Sequence, residues 1–285
     1  MIVGALSDIA LNGRLMRGAD LSGADLRKAV LVDTDLSGAD LRGANLSGAT
    51  IEASILANAN LSRAVLTGAR FVACDLTTAQ LTEADLSGVT MTNTRATGAT
   101  LFRAVLHNAN LQDVSLREAN LSEADCDGSR FDRVDFARVF APRASFRRAV
   151  LTSAACLLAD FSFCDLTDAE ATSARFDRAS LVRSVLRGVK GATTSLEFAD
   201  LRQSDLTAAD LSGATLLGAQ LGGACLARCD LSNADLYLAD YDPLALAAAR
   251  TTGACLAIAT AIVHAPNAQP PAIDRRPLYR LTESR

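Results

Sequence analysis

Residues 19–48 read ADLSG-ADLRK-AVLVD-TDLSG-ADLRG-ANLSG, six consecutive five-residue units with leucine in the third place of each. We call this third residue the centre of its unit and the first residue the small position. From Leu21 to Leu236 the same spacing gives 44 centres, of which 38 are Leu, Ile, Met or Phe. All 44 small positions hold Ala, Ser, Thr, Cys or Val, and 29 of them hold Ala. The repeat therefore continues without an inserted residue over most of the chain.

A period of five fits neither an α-helix nor a flat strand. On a helix the leucines would spread around every side, and on a strand an odd step would send successive leucines to opposite faces. The pattern is satisfied if the backbone turns a corner in every unit, so that each unit forms one side of a square. Four units then close a coil of 20 residues, and the 44 units give 11 coils. We therefore predict an all-β, four-sided β-helix about 50 Å long, with coils about 4.8 Å apart.

The composition indicates a narrow core and a protein that does not bind nucleic acid directly. Apolar residues make up 49% of the chain and aromatic residues only 5%, so small side chains must fill the interior. The net charge of −4 argues against a nucleic-acid binder, which is usually basic. The sequence has neither an apolar run long enough to cross a membrane nor a basic leader, so no membrane association is expected. Seven cysteines without paired spacing fit a reducing compartment, and a cytoplasmic location is expected.

The units A(D/N)LXX, repeated from Ala19 to about Asp240, resemble those of the pentapeptide-repeat family. The resemblance implies a right-handed quadrilateral β-helix, here of about 11–12 coils. The best-characterised members of that family protect bacterial type II topoisomerase by imitating duplex DNA. Relatives that protect gyrase dimerise through their C-terminal ends, so the resemblance also predicts a homodimer formed through that end.

The ends of the repeat predict four segments. Residues 1–18 keep the spacing of the centres but lose the small positions, which predicts an N-terminal capping coil. Residues 19–241 form the β-helix, and residues 242–264 are expected to form a cap or a last irregular coil. Residues 265–285 are rich in proline and charge, which is typical of a tail that lies on the surface or is disordered.

Two irregular places are expected to bend the rod. Ala171 and Gly191 are centres on one side of neighbouring coils, and the loss of two large side chains there predicts a narrower core. Pro142 follows the weak centre Ala141 and removes one backbone donor from its side. We expect a kink at one of these places.

The residue before each centre faces outward and is often Asp or Asn. In a DNA mimic such residues imitate phosphates, whereas in an ordinary turn they accept hydrogen bonds from their own backbone two residues further on. We favour the turn, because the mixture of Asp and Asn suits turn chemistry better than charge matching. The C-terminal third is nevertheless acidic, and the candidate DNA-mimic surface comprises Asp200, Asp205, Asp210, Asp230, Asp235 and Asp240. A basic belt within residues 127–148 weakens an imitation of DNA along the whole rod.

Some outward positions carry apolar side chains. Leu158, Phe198 and Leu238 occupy equivalent places in their units on one side, and Leu217 and Tyr237 lie next to them. An exposed apolar stripe commonly marks an interface, so these five residues are the candidate interface. The alternative is that the C-terminal tail, which contains Leu278 and Tyr279, shields them.

No constellation for catalysis appears in the sequence. The two histidines, His107 and His264, lie far apart, which leaves little for a catalytic triad or a zinc site. Cysteines 74, 126, 156, 164 and 229 occupy inward places, where they serve as small apolar filler, whereas Cys225 and Cys255 face outward. We expect no enzyme, no cofactor and no metal ion. The leading prediction is a rigid scaffold that binds another protein, and the alternative is a DNA mimic that binds type II topoisomerase.

Overall fold

The chain folds into a right-handed, four-sided β-helix of about 11 turns with about 20 residues per turn. The computed structural model describes residues 7–256. Parallel bridges join each outward residue to the one twenty places later, as in Asp20 with Asp40 and Asp25 with Asn45. This ladder continues to the bridge between Asp230 and Arg250. The predicted fold class and coil length are confirmed.

We number the four sides of the coil from the first four centres. Face 1 contains Leu21, face 2 Leu26, face 3 Leu31 and face 4 Leu36. Every later residue belongs to the face of the residue twenty places before it. With few exceptions, centres and small positions from Leu21 to Leu236 are buried, and they form one continuous apolar core along the axis.

Backbone hydrogen bonds hold the coils together and also form the corners. The amide of Leu21 donates to the carbonyl of Asp40 (2.7 Å), and the amide of Asp40 donates to the carbonyl of Ala19 (2.9 Å). At the corner the amide of Ala24 donates to the carbonyl of Leu21 (3.0 Å), which closes a β-turn. Gly23, two residues after the centre, has φ +63°, and glycine is the residue best suited to this conformation. The same place often holds a larger residue, whose side chain then projects from a hydrogen-bonded corner.

Extended strands occur mainly on face 3 of the first coils. Six three-residue strands pair in parallel and in sequence order to form one sheet, and two short strands pair near the C-terminal end. A single helical turn lies between these last two strands and is capped by Asp242, whose side chain accepts a hydrogen bond from Leu244. The elements are β1 (Val30–Val32), β2 (Thr50–Glu52), β3 (Arg70–Val72), β4 (Thr90–Thr92), β5 (Asn110–Gln112), β6 (Arg130–Asp132), β7 (Asp235–Leu236), α1 (Pro243–Leu246) and β8 (Cys255–Leu256).

Polar small positions accompany these strands. The hydroxyl of Thr34 donates to the carbonyl of Leu11 (2.8 Å), and the hydroxyl of Ser54 donates to the carbonyl of Leu31 (3.0 Å). In the ordinary corners a backbone amide donates to the centre carbonyl instead, and alanine suffices at the small position. A buried carbonyl needs a donor, and Thr34 and Ser54 supply one in the first two of these coils. Val114 and Val134 hold the same place after β5 and β6 and have no side-chain donor.

The middle of the core contains five stacked phenylalanines. Their neighbouring ring centroids lie 5.2–6.3 Å apart, mostly edge to face, a favourable geometry for aromatic pairs. The rings belong to Phe131, Phe136, Phe146, Phe161 and Phe176. The small centres of this region lie in the same coils as these rings or in the next one, namely Cys126, Ala141, Cys156, Ala171 and Gly191. Large and small centres therefore compensate each other in volume, and the small ones are not isolated defects.

The core is nearly filled even at the two smallest centres. A cavity of about 20 Å³ remains beside Ala171 and Gly191, with Phe176 and Leu211 in its wall. The bridges from Glu170 to Lys190 and from Lys190 to Asp210 continue in register there. The small centres therefore leave little empty space, while the narrowing and the bend predicted at this place stay predictions.

Pro142 does not interrupt the hydrogen bonds between coils. It lies directly after a centre, where the backbone amide of other units donates to the Asp or Asn side chain before the centre, as Ser22 does to Asp20 (3.1 Å). In the unit of Pro142 that side chain is Phe140, which offers no acceptor. The carbonyl of Pro142 still accepts from Glu123 (3.0 Å). The donor that proline removes is therefore not one that the ladder uses.

The described ends continue the coil. Ala10 bridges to Val30 and Leu15 to Asp35, so residues 7–18 stack on the first full coil. Residues 242–256 combine the helical turn α1 with strand β8, which pairs with β7. The predicted caps also include residues 1–6 and 257–264, and these, like the predicted tail 265–285, lie outside the described residues. No helix among residues 7–256 is long and apolar enough to cross a membrane.

Candidate protein-binding surface on face 4

The apolar residues predicted to face outward lie on face 4 and its corner. Phe198 and Leu238 occupy the corner place, two residues after a centre, and are 47% and 63% exposed. Leu217 and Tyr237 precede that corner by one residue; Leu217 is half-buried and Tyr237 is 53% exposed. These four residues fall within three consecutive coils, and we call them the face-4 stripe.

Leu158 is separated from the stripe. It occupies the same place two coils before Phe198, but Arg178 lies between them. The guanidinium carbon of Arg178 is 5.6 Å from the centroid of the Phe198 ring, a cation–π distance that covers this side of the ring with charge. The structure therefore brings four of the five candidate interface residues together and leaves Leu158 outside.

Glycine at 218 keeps the stripe continuous. A Cβ atom added there would lie 2.6 Å from the ring of Phe198, so the ring covers the space that a side chain would need. Gly218 also has φ +63°, which favours glycine. The ring consequently extends along the column toward Leu238, and no polar side chain separates the two.

Three carboxylates border the stripe. Glu197 precedes Phe198 in the chain, and Asp235 and Asp240 lie on either side of Tyr237 and Leu238. None of the three forms an ion pair with a residue in the described range 7–256. The stripe is thus an apolar surface with an acidic border.

The acidic residues of the candidate DNA-mimic surface are distributed around the coil. Asp200 and Asp240 lie on face 1, Asp205 on face 2, Asp210 and Asp230 on face 3, and Asp235 on face 4. Five of the six accept a hydrogen bond from the backbone amide two residues further on, as the turn interpretation predicts.

Arginines neutralise half of these six carboxylates. The contacts are Arg202 to Asp200 (2.6 Å), Arg187 to Asp205 (2.5 Å) and Arg250 to Asp230 (3.4 Å). Hydrogen bonds from the Arg202 side chain lower the pKa of Asp200. A row of unpaired negative charges along one face is therefore not formed by these residues.

The histidine and cysteine side chains, which could take part in catalysis or metal binding, are either buried in the core or isolated on the surface. His107 contacts Asp125 (Nε2 to Oδ2, 2.6 Å) on the exposed surface of face 2. Within residues 7–256 no three His, Cys, Asp or Glu side chains lie close enough together to hold a metal ion. The five cysteines predicted to point inward are buried, whereas Cys225 and Cys255 are exposed as predicted.

Two exposed aromatic residues of face 1 were not among the predicted site residues. Phe163 is 47% exposed and Phe140 is 50% exposed. Phe163 matches Phe198 closely: it occupies the corner place, has a positive φ, and lies under the guanidinium of Arg183 at 5.8 Å. The same five-residue count that identified Phe198 could have identified it.

Comparison with known proteins identifies the repeat. The family model for pentapeptide repeats matches segments of the chain between residues 6 and 233. Comparison with curated protein sequences finds no significant match. Among solved structures, HetL, a pentapeptide repeat protein involved in heterocyst differentiation regulation in the cyanobacterium Nostoc sp. strain PCC 7120, is 28% identical, with 81% of this chain and 86% of that chain covered and a TM-score of 0.33.

Two further structures are similar. QnrB1, a plasmid-mediated fluoroquinolone resistance protein, is 15% identical over 84% of this chain and 94% of that one, with a TM-score of 0.38. Rfr23 from the cyanobacterium Cyanothece 51142 is 20% identical over 46% of this chain and 86% of that one, with a TM-score of 0.21. On the evidence of the family model, which matches well over half of its residues, the chain belongs to the pentapeptide-repeat family.

Proposed function

We propose that this protein is a non-enzymatic scaffold that binds another protein through the face-4 stripe. The observation that supports the proposal is the exposure of Phe198, Tyr237 and Leu238 next to Leu217 on three adjoining coils. Tyrosine and other large apolar side chains that cluster on a surface are typical centres of protein interfaces.

The rigidity of the corners favours such a role. The amide of Phe198 donates to the carbonyl of Leu217 (2.8 Å), so the backbone that carries the ring is fixed to the next coil. A partner therefore has to immobilise side chains only, which lowers the entropy lost on binding. Aromatic rings also bring much contact area with few rotatable bonds.

The test compares two phenylalanines that differ in face but match in exposure. The immobilised protein would be used to isolate a partner from its host, and the purified partner would then be titrated against Phe198→Asp and Phe163→Asp. We expect Phe198→Asp to weaken binding about 30-fold or more, because a buried interface anchor typically contributes about 2 kcal/mol. Phe163→Asp should bind as the unchanged protein does. Equal affinity of both variants would contradict the assignment of the stripe.

A second candidate, binding to type II topoisomerase by DNA mimicry, is favoured by the acidic excess of the C-terminal third. Residues 196–242 contain eight acidic residues and only two arginines. Such an excess can guide association with a basic groove, although its distribution over four faces favours the scaffold. A gyrase supercoiling assay with a quinolone tests this candidate. If the protein at micromolar concentration neither inhibits gyrase nor rescues it from the quinolone, this candidate is removed.

We further propose a cytoplasmic location and self-association through the C-terminal end. All seven thiols are free in the structure, which suits a reducing compartment. Leu256 and Leu238 are both exposed near that end, and they offer a second copy an apolar contact.

A further inference from the structure

We propose that residues 265–285 of this same chain bind in cis to the face-4 stripe, so that a partner must displace them. The inference rests on the proposed function insofar as the stripe is a binding surface. The first occupant of that surface is then a segment of the protein itself.

The chemistry of the segment complements that of the stripe. Residues 275–281 read RRPLYRL, in which Leu278 and Tyr279 are flanked by arginines on both sides. The stripe offers an apolar surface for such residues, and its border offers the carboxylates of Glu197, Asp235 and Asp240. Guanidinium groups pair well with carboxylates, and these three carboxylates have no cationic partner within residues 7–256.

The net charges of the segment and of the coils that carry the stripe also favour their contact. Residues 265–285 contain four arginines against Asp274 and Glu283, so their side chains carry a net positive charge. The coils that carry the stripe belong to the acidic part of the rod, residues 196–242. Opposite charges on two parts of one chain favour their contact, most strongly at low salt.

The described part of the chain ends beside the stripe. Strand β8 (Cys255–Leu256) pairs with β7 (Asp235–Leu236), so Leu256 lies on face 4 one coil beyond Tyr237 and Leu238. The stretch from Leu256 to Leu278 can easily span the three coils of the stripe, which are about 5 Å apart. A short connection of this kind gives an effective concentration on the order of millimolar, so even a weak contact would be populated.

Prolines in the segment reduce the entropy that binding would cost. Pro270, Pro271 and Pro277 each fix their own φ and disfavour helical conformations of the residue before them. An extended backbone is suited to lie along a column of side chains. The segment can then place Leu278 and Tyr279 on the stripe with less loss of conformational freedom.

The experiment measures tryptic cleavage after Arg280 in the full-length chain at low salt, followed by mass spectrometry of the released C-terminal peptide. If the segment is bound in cis, Phe198→Asp and Leu238→Asp should each accelerate this cleavage about ten-fold, because cleavage requires the open form. Phe163→Asp, on face 1, should leave the rate within about two-fold of that of the unchanged protein, as expected for a surface substitution away from the stripe. Two stripe variants are used so that the result does not depend on one of them folding.

Equal cleavage rates in all four proteins would overturn the proposal. Slow cleavage after Arg280 that becomes fast when the protein is diluted would also overturn the proposal, since the stripe would then be occupied by the segment of a second copy. The outcome is separable from the proposed function. If Phe198→Asp abolishes partner binding but does not change cleavage, the stripe binds a partner and the cis contact does not exist.

Discussion

Replacing Phe146 by alanine is expected to lower the free energy of unfolding by about 3–5 kcal/mol, the largest stability effect that the core predicts for a single substitution. The ring of Phe146 lies 5.8 Å from that of Phe131, 6.3 Å from that of Phe136 and 5.5 Å from that of Phe161, centroid to centroid. Its removal would leave a cavity bounded by backbone that hydrogen bonds to both adjoining coils hold in place, so collapse around the site is restricted.

The measurement combines urea unfolding with hydrogen exchange of the amides between residues 131 and 161. Both are needed because each coil contacts only its neighbours, and a solenoid can open locally near the substitution. Phe163→Ala, which removes an exposed ring one coil away, is the control and should change stability by no more than about 0.5 kcal/mol. A loss below about 1 kcal/mol for Phe146→Ala would show that the small centres around it can move inward, contrary to the volume compensation described above.

Thiol labelling is expected to separate the seven cysteines into two groups that differ at least about a hundred-fold in rate. Cys225 and Cys255 are exposed and should react first. Burial raises the pKa of Cys229 to about 12, and it raises the pKa of Cys126 well above its usual value. At neutral pH these thiols remain protonated and unreactive in the folded state, so they should react only when the coil opens.

The measurement is time-resolved labelling with a thiol reagent at neutral pH, with the modified peptides identified by mass spectrometry. Among the buried cysteines, Cys229 should react before Cys126, because a solenoid opens more readily near its end than in its middle. The same labelling in denaturant, where all seven should react at similar rates, is the control. Rapid labelling of Cys126 in the folded protein would contradict the inward assignment of its place in the unit.

The core and the corners could be predicted from sequence because a strict period determines which side each residue faces. The burial of Leu21 and every later leucine centre follows from the five-residue count, as does the outward position of Cys225. The hydrogen bond that an outward Asp or Asn accepts from the backbone of its own turn was predicted for the same reason. It depends only on residues two places apart, which any single unit contains.

What the sequence reasoning missed depends on pairs of coils. Ala171 and Gly191 looked like defects because each centre was considered within its own column. The side chains around them include Leu211 from the next coil of the same face and Phe176 from another face. Adding the volumes of the four centres in each coil and comparing neighbouring coils would have identified the compensation.

The location of the extended strands on face 3 was also not predicted, because it too depends on contacts between neighbouring coils. In two of these coils the signal is a polar small position, Thr34 or Ser54, whose hydroxyl donates to a carbonyl one coil earlier. The distribution of the acidic residues over four faces could have been read from the twenty-residue count. The position of Arg178 over Phe198 depends on side-chain conformation and could not.

The residue two places after each centre has a positive φ, and this affects how the protein can evolve. At these corners the residues after a centre point into water, and a side chain other than glycine at the second of them costs about 1–2 kcal/mol. Mutations can therefore change the outer surface one corner at a time, while the packing of the core along the axis of the rod stays the same. A few substitutions at such corners, two of which hold Phe198 and Leu238 here, would change what the surface can bind and leave the packing of the axis as it is.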